Sequence, residues 1–163
     1  MSVSETCRNE WFRQSSEMMG HAVHCMLGNK NYSLFSIVTL RAWTEHAIAQ
    51  RQMKVFFDKF GGPIGYLTWA WLTDDVAERM MTDKRFLLHA TEWSEGNNLW
   101  IMDFCCLPGN ARRIVRHIRT TMFSDCGTVN WLRQGRRKDG GSNRLWLDRT
   151  QGTLGRQPLP MPQ

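Results

Sequence analysis

One acidic side chain stands inside an apolar segment of this sequence. Asp103 lies in the middle of the run from Leu99 to Leu107, whose other members are all apolar. A buried carboxylate must be hydrogen-bonded, solvated by a pocket or protonated, and each of these costs stability unless the residue has a use. The sequence leaves two interpretations of Asp103 open: a residue that takes part in catalysis, and a structural hydrogen-bond acceptor.

Histidine is the side chain best suited to exchange protons with such a carboxylate near neutral pH. The chain has five: His21, His24, His46, His89 and His117. His21 and His24 are three residues apart on a predicted helix and therefore share a face, a spacing that also suits a metal. The sequence indicates no third ligand, so we predict no metal site.

The periodicity of apolar residues predicts nine elements in the order α-α-β-β-α-β-α-β-β. The predicted helices cover residues 9–27, 32–49, 73–81 and 111–122, and the predicted strands cover 53–57, 64–71, 99–107, 129–132 and 144–147. This order predicts an α+β fold in which helices flank a mixed, largely antiparallel sheet.

Length and composition limit the organisation and the compartment. The 163 residues, with 42% hydrophobic residues and eight tryptophans, predict one folded domain over residues 1–150 and a Gly/Pro-rich disordered tail over 151–163. Five cysteines without a Cys-x-x-Cys pair suggest neither a disulfide framework nor a zinc site. With no signal peptide and no apolar run long enough to span a bilayer, we predict a cytoplasmic protein without stable membrane insertion.

The excess of basic residues favours an acidic partner. The formal net charge is +6, and one predicted helix carries a basic face formed by Arg112, Arg113, Arg116 and Arg119. This face either steers an acidic partner at long range or is simply solvated, and the sequence leaves both interpretations open.

Several blocks along the chain together resemble the RTX toxin-activating lysine acyltransferases, the hemolysin-activating family. The blocks are Glu17–His21 (EMMGH), Ser33–Phe35 (SLF), Gly65–Leu72 (GYLTWAWL) and Thr91–Phe104 (TEWSEGNNLWIMDF). Their order and spacing cover about residues 17–148. The resemblance implies a fold similar to the GNAT acetyltransferases, a cytoplasmic enzyme, and a possible homodimer. It also implies transfer of a fatty-acyl chain from acyl carrier protein to internal lysines of a protoxin, with no bound cofactor.

The resemblance implies a catalytic pair made of a histidine and an aspartate. Asp103 matches the aspartate directly. The stretch Gly28–Tyr32 stands where the family has its histidine and contains none, so His24 is the nearest candidate. In this interpretation His24 removes the proton of the attacking lysine and Asp103 orients the imidazole. The basic face Arg112, Arg113, Arg116 and Arg119 would attract the acidic carrier protein.

Two other functions compete with this interpretation. Basic segments with interspersed tryptophans are also typical of a nucleic-acid-binding module, although we predict no nucleic-acid partner. A coenzyme A-dependent GNAT acetyltransferase would need a pyrophosphate-binding loop opening a helix, and that spacing is not found. Trp69, Trp71 and Trp100 either line an acyl channel or belong to the core.

Overall fold

The computed structural model describes residues 3–32, 35–83, 86–134, 142–148 and 153–158. The helices are α1 (Val3–Leu27), α2 (Ile37–Leu40), α3 (His46–Ala49), α4 (Asp74–Thr82) and α5 (Ala111–His117). The strands are β1 (Met53–Phe57), β2 (Pro63–Leu72), β3 (Asn98–Cys106), β4 (Thr128–Gln134), β5 (Ser142–Asp148) and β6 (Thr153–Pro158). The predicted element order is confirmed, and β6 is an addition to it.

The strands form a mixed sheet in the order β1-β2-β3-β4-β5-β6. Strand β1 pairs antiparallel with β2, and β4, β5 and β6 pair antiparallel in succession. Strand β4 runs parallel to β3 over Leu99–Ile101 and Val129–Trp131. Helices and a largely antiparallel sheet make this an α+β fold, as predicted; its likeness to the GNAT acetyltransferases stays a prediction.

Residues Thr153–Pro158, which fall within the predicted tail over 151–163, form strand β6, and the extent of that tail stays a prediction. This segment pairs with β5 from Thr153 opposite Asp148 to Pro158 opposite Asn143. Strand pairing satisfies backbone groups whatever the side chains are, so a segment poor in apolar residues can still be ordered at a sheet edge. Pro158 is the last residue of β6, at the edge of the sheet, where the absence of a backbone N–H is tolerated.

The chain divides into two compact units, and the assignment of a single domain over 1–150 stays a prediction. One unit comprises residues 1–68 and 103–117, and the other comprises residues 69–102 and 118–163. The first unit has a core of Ala22, Cys25, Met26, Ala47, Ile48, Val55, Tyr66, Leu67, Cys105 and Ile114. The second has a core of Ala70, Leu72, Val76, Leu88, Trp93, Leu99, Trp100, Phe123 and Val129.

The second helical region begins later than predicted. The apolar pattern predicts a helix from Tyr32, whereas α2 begins after Ser36, whose Oγ accepts a hydrogen bond from the Thr39 N–H at 3.2 Å. A serine N-cap of this kind fixes where a helix starts. The region continues through a π-helical turn, Arg41–Glu45, into α3. Tyr32 is therefore left in a turn, outside any helix.

Glycine permits close packing at two positions. In the first unit a Cβ on Gly65 would stand 2.9 Å from both the Cys105 carbonyl oxygen and the Cys106 Cβ, which lets β2 lie close to the end of β3. In the second unit a Cβ on Gly96 would overlap the backbone of Leu72 and Thr73. Substitution at Gly96 therefore requires the backbone to move.

Candidate active site

Asp103 lies on β3, within the first unit, and its carboxylate is enclosed by hydroxyl groups. Tyr66 donates a hydrogen bond from its hydroxyl to Asp103 Oδ2 at 2.6 Å, and the Tyr32 hydroxyl donates to Asp103 Oδ1. The Tyr32 hydroxyl also lies 3.2 Å from the Phe104 carbonyl oxygen. Both carboxylate oxygens thus have a phenolic donor, an arrangement called here the Tyr-Asp-Tyr cluster (Tyr32, Tyr66 and Asp103).

The two tyrosines of this cluster differ in their surroundings. Tyr66 belongs to strand β2 and has 0% of its surface exposed. Tyr32 is half-buried and lies in the turn that follows α1, where its ring packs against Phe35 with the ring centroids 5.0 Å apart. Tyr66 is therefore a fixed part of the core, while solvent and other molecules reach part of Tyr32.

The end of α1 places Tyr32 beside β3. Asn29 accepts the Tyr32 backbone N–H at 2.9 Å and donates from its side-chain Nδ2 to the Cys106 carbonyl oxygen at 3.2 Å. The absence of a side chain at Gly28 leaves room for the Leu107 side chain. These contacts join the turn after α1 to the end of β3, which brings Tyr32 within reach of a residue 71 positions away.

Burial raises the pKa of the Asp103 carboxyl above its ordinary value, because the charged form loses solvation. The hydrogen bonds from Tyr32, Tyr66 and the Phe104 backbone oppose this rise in pKa. Burial, and then the negative charge of Asp103, raise the pKa values of both tyrosines well above the ordinary range. Both hydroxyls therefore keep their protons and donate, and the carboxylate is the proton acceptor of this cluster.

Three thiols surround the same strand end. Burial raises the pKa of Cys25 to about 11 and that of Cys105 to about 12, and it also raises the pKa of Cys106. Since the thiolate is the reactive form, these side chains are poor nucleophiles. They make the surroundings of Asp103 apolar and so contribute to keeping water away from it.

The predicted pair of His24 and Asp103 is not in hydrogen-bonding contact. His24 is exposed on the last turn of α1, and among the described residues the side-chain donors to the Asp103 carboxylate are Tyr32 and Tyr66. The neighbouring His21 packs its ring edge-on against Phe57, with centroids 5.1 Å apart. The hydrogen-bond partners of Asp103 are the two tyrosines of the chain, and nothing in their spacing along the sequence indicated this.

The three tryptophans predicted to line an acyl channel lie in the second unit. Trp100 is 1% exposed, and half-buried Trp69 packs edge-on against Phe123 at 5.5 Å between centroids. Trp71 borders a cleft of about 540 Å³ whose other lining residues include Asn97, Asn98, Asp125, Thr128 and Asn130. This lining is mainly polar and is therefore unsuited to a fatty-acyl chain. The acyl channel stays a prediction.

The predicted basic face is exposed. Arg112, Arg113, Arg116 and Arg119 lie along α5 and the π-helical turn Ile118–Met122, while Ile114 and Ile118 are buried. Backbone N–H groups of Gly62 and Phe60 hold the pKa of Asp58 below its ordinary value, and the positive charge of Arg113 adds to this effect. Arg113 therefore already has a neighbouring carboxylate.

Over the described residues, no group of three or more His, Cys, Asp or Glu side chains is arranged to hold a metal ion. Within the same part of the chain, no helix is both long and apolar enough to cross a membrane.

The fold and the cluster together define an α+β protein in which two tyrosine hydroxyls hold a half-buried carboxylate on strand β3. The model of the RTX toxin acyltransferase family matches residues 11–145. The chain belongs to this family, and it is an acyltransferase.

Two relatives at low identity agree with this membership, and a third similar protein is uncharacterised. The lysine-acyltransferase RtxC of Vibrio cholerae is 21% identical over 126 residues, which is 76% of this chain and 80% of that protein. The RTX-II toxin-activating lysine-acyltransferase ApxIIC of Actinobacillus pleuropneumoniae is 31% identical over 67 residues, 41% of each chain. An uncharacterised protein of Synechocystis, sll0720, is 23% identical over 108 residues, 66% of this chain and 73% of that protein.

Proposed function

We propose that this protein is a cytoplasmic lysine acyltransferase that moves a fatty-acyl chain from acyl carrier protein to internal lysines of a protoxin or toxin-like polypeptide. Family membership supports acyl transfer, and the names of the Vibrio and Actinobacillus relatives support lysine as the acceptor. The observation that carries the proposal is the carboxylate of Asp103, half-buried near three thiols and held by two hydroxyl groups.

A lysine side chain must lose a proton before it can attack a thioester. Its ordinary pKa is about 10.4, so roughly one molecule in a few thousand is neutral at pH 7. Asp103 is the proposed proton acceptor, because burial raises its pKa and so increases its affinity for the proton. The alternative acceptor is His24, which would have to reach the amine from the exposed last turn of α1.

The acyl donor in this proposal is acyl carrier protein, with no resident cofactor. Carrier proteins are acidic, and the exposed arginines Arg112, Arg113, Arg116 and Arg119 supply positive charge for long-range attraction. Such steering weakens as salt is added, since the screening length is about 10 Å at 0.1 M. The rate with carrier-bound donor should therefore fall with salt more steeply than the rate with a short, uncharged thioester.

A homodimer is part of the same proposal. Light scattering of the purified chain measures its molar mass in solution and so tests the dimer.

Intact-mass analysis tests the proposal. A neighbouring toxin-like polypeptide is co-expressed with the wild type, with Asp103→Asn or with His24→Gln, and its lysine peptides are mapped. We expect acylated lysines with the wild type and with His24→Gln, and a loss of about 100-fold or more with Asp103→Asn. Absence of acylated lysines with the wild type, for every candidate polypeptide and carrier protein tried, would overturn the proposal. A loss confined to His24→Gln would transfer the role of proton acceptor to the histidine.

A further inference from the structure

The Tyr-Asp-Tyr cluster has the arrangement of an activated nucleophile. A hydroxyl group, that of Tyr32, donates to a carboxylate that can accept its proton, and a third group, Tyr66, holds that carboxylate in place at 2.6 Å. Nucleophile, base and orienting group within hydrogen-bond reach are the signature of covalent catalysis. Tyr32 is half-buried whereas Tyr66 is fully buried, so Tyr32 is the better placed of the two tyrosines to meet a substrate.

We propose that the Tyr32 hydroxyl receives the acyl chain first and then passes it to the lysine. The inference rests on the proposed function, because it takes the acyl thioester and the acceptor lysine from it. Tyr32 is the catalytic residue of this relay, Asp103 is its base, and Tyr66 is a positioning residue.

The first half of the relay forms an aryl ester. As the Tyr32 oxygen attacks the thioester carbonyl, its proton moves to Asp103 Oδ1, a carbon–oxygen bond forms and the carbon–sulfur bond breaks. The departing thiolate takes the proton from Asp103 and leaves as a thiol. The carboxylate ends this half in its starting state.

The second half forms the amide. The lysine amine attacks the ester carbonyl, a carbon–nitrogen bond forms, and the carbon–oxygen bond to Tyr32 breaks. Asp103 takes the proton from the nitrogen and returns it to the Tyr32 oxygen. Starting from a lysine ammonium, the net products are an amide, a thiol and one proton released to solvent.

The order of the three acyl carriers is chemically reasonable. The ordinary pKa values of thiol, phenol and alkyl ammonium are about 8.5, 10 and 10.4. An aryl ester remains an activated acyl donor toward an amine, because a phenol is a far better leaving group than an alcohol. Of the three nearby thiols, those of Cys25 and Cys105 are buried, and the half-buried Cys106 serves as the control in the test below.

The chain offers a matched test because Tyr32 and Tyr66 are its only tyrosines. The purified full-length protein is incubated with fatty-acyl carrier protein but without the toxin-like polypeptide, quenched in acid and weighed. We expect an added mass of one acyl group, located by fragmentation on Tyr32 within the tryptic peptide Asn31–Arg41. Tyr32→Phe should remove this adduct, while Cys106→Ser should retain it at position 32.

Addition of the polypeptide completes the test. The adduct should disappear as acylated lysine accumulates, and Tyr32→Phe should slow lysine acylation by about 100-fold or more. The Tyr32→Phe variant loses a single hydroxyl group and should fold. Its circular dichroism spectrum and urea transition check this. If lysines are acylated while no adduct forms and Tyr32→Phe keeps the wild-type rate, the relay is refuted and the proposed function stands. An adduct that persists when the polypeptide is added also refutes the relay. If the wild type acylates no lysine at all, the proposed function itself fails.

Discussion

Replacing Tyr66 by phenylalanine removes one hydroxyl group from the Tyr-Asp-Tyr cluster and leaves the ring in place. The lost hydrogen bond is 2.6 Å long, joins a fully buried donor to Asp103 Oδ2, and contributes about 1.5–3 kcal/mol while the carboxylate is charged. When Asp103 is protonated the bond is between neutral groups and contributes about 0.5–1.5 kcal/mol. The destabilisation by Tyr66→Phe should therefore depend on pH.

The sign of this pH dependence follows from the bond's effect on Asp103. The Tyr66 hydroxyl lowers the pKa of Asp103, so its removal raises the pKa of the folded state further. The variant then loses stability relative to the wild type as the pH rises through that pKa. Urea unfolding measured at pH values rising from about 4, the ordinary carboxyl pKa, should show a growing difference in the free energy of unfolding between the variant and the wild type.

A double-mutant cycle supplies the control for Tyr66→Phe. In an Asp103→Asn background the cost of Tyr66→Phe should fall to about 0.5–1.5 kcal/mol and lose its dependence on pH. With Asp103 in place, Tyr66→Phe should also move the acid limb of the acyl-transfer pH profile upward. A cost that is equal at both ends of the pH range, or unchanged in the Asp103→Asn background, would refute the assignment of a charged carboxylate between the two hydroxyls.

Three further results are expected. Asp103→Asn should abolish acyl transfer but raise the melting temperature at neutral pH, because it removes a carboxylate whose pKa is raised by burial. The gain in melting temperature should shrink as the pH falls toward about 4, the ordinary pKa of the carboxyl. Calorimetry at several pH values measures this, and a melting temperature that falls equally at every pH contradicts it. Gly96→Ala should destabilise the protein by about 1–3 kcal/mol or more, because the added Cβ would overlap backbone atoms. Gly20→Ala, on α1 with open space around it, should stabilise the protein by about 0.8–1 kcal/mol. Chemical denaturation of both variants checks this, and equal effects would show the packing argument to be incorrect. Cys25 and Cys105 should resist alkylation by iodoacetamide in the native protein at about pH 8 and should react once the protein is unfolded. At a pKa of about 11, only roughly one thiol in a thousand is ionised at that pH. Peptide mapping identifies the labelled cysteines, and rapid labelling of either one in the native protein would mean that solvent reaches the end of β3.

Local patterns predicted the elements well, because each depends on residues close together in the chain. Strand β1 has the predicted bounds, Met53–Phe57, and the predicted helix over 111–122 is helical throughout, although its second part is a π-helical turn. The basic face of that helix is also as predicted. Strand β6 was missed because its order comes from pairing with β5, and its own composition gives no strand signal.

The candidate site was predicted only in part, because its geometry comes from distant residues. Asp103 was identified from a single charge in an apolar strand. Its partners Tyr32 and Tyr66 are 71 and 37 positions away, and their approach depends on where α2 begins and how the end of α1 packs. The sequence argument looked for an imidazole and selected His24, the histidine nearest to the position where the family has its own. The structure instead places a phenol at the carboxylate.

Since both tyrosines of the chain touch the same carboxylate, any probe specific to tyrosine observes the site and nothing else. Biosynthetic incorporation of fluorotyrosine would give a fluorine spectrum of two resonances, one from the buried ring on β2 and one from the ring in the turn after α1. Loading of the donor, protonation of Asp103 and arrival of the acceptor peptide could then be followed on the intact enzyme, without an attached dye and without a background to subtract.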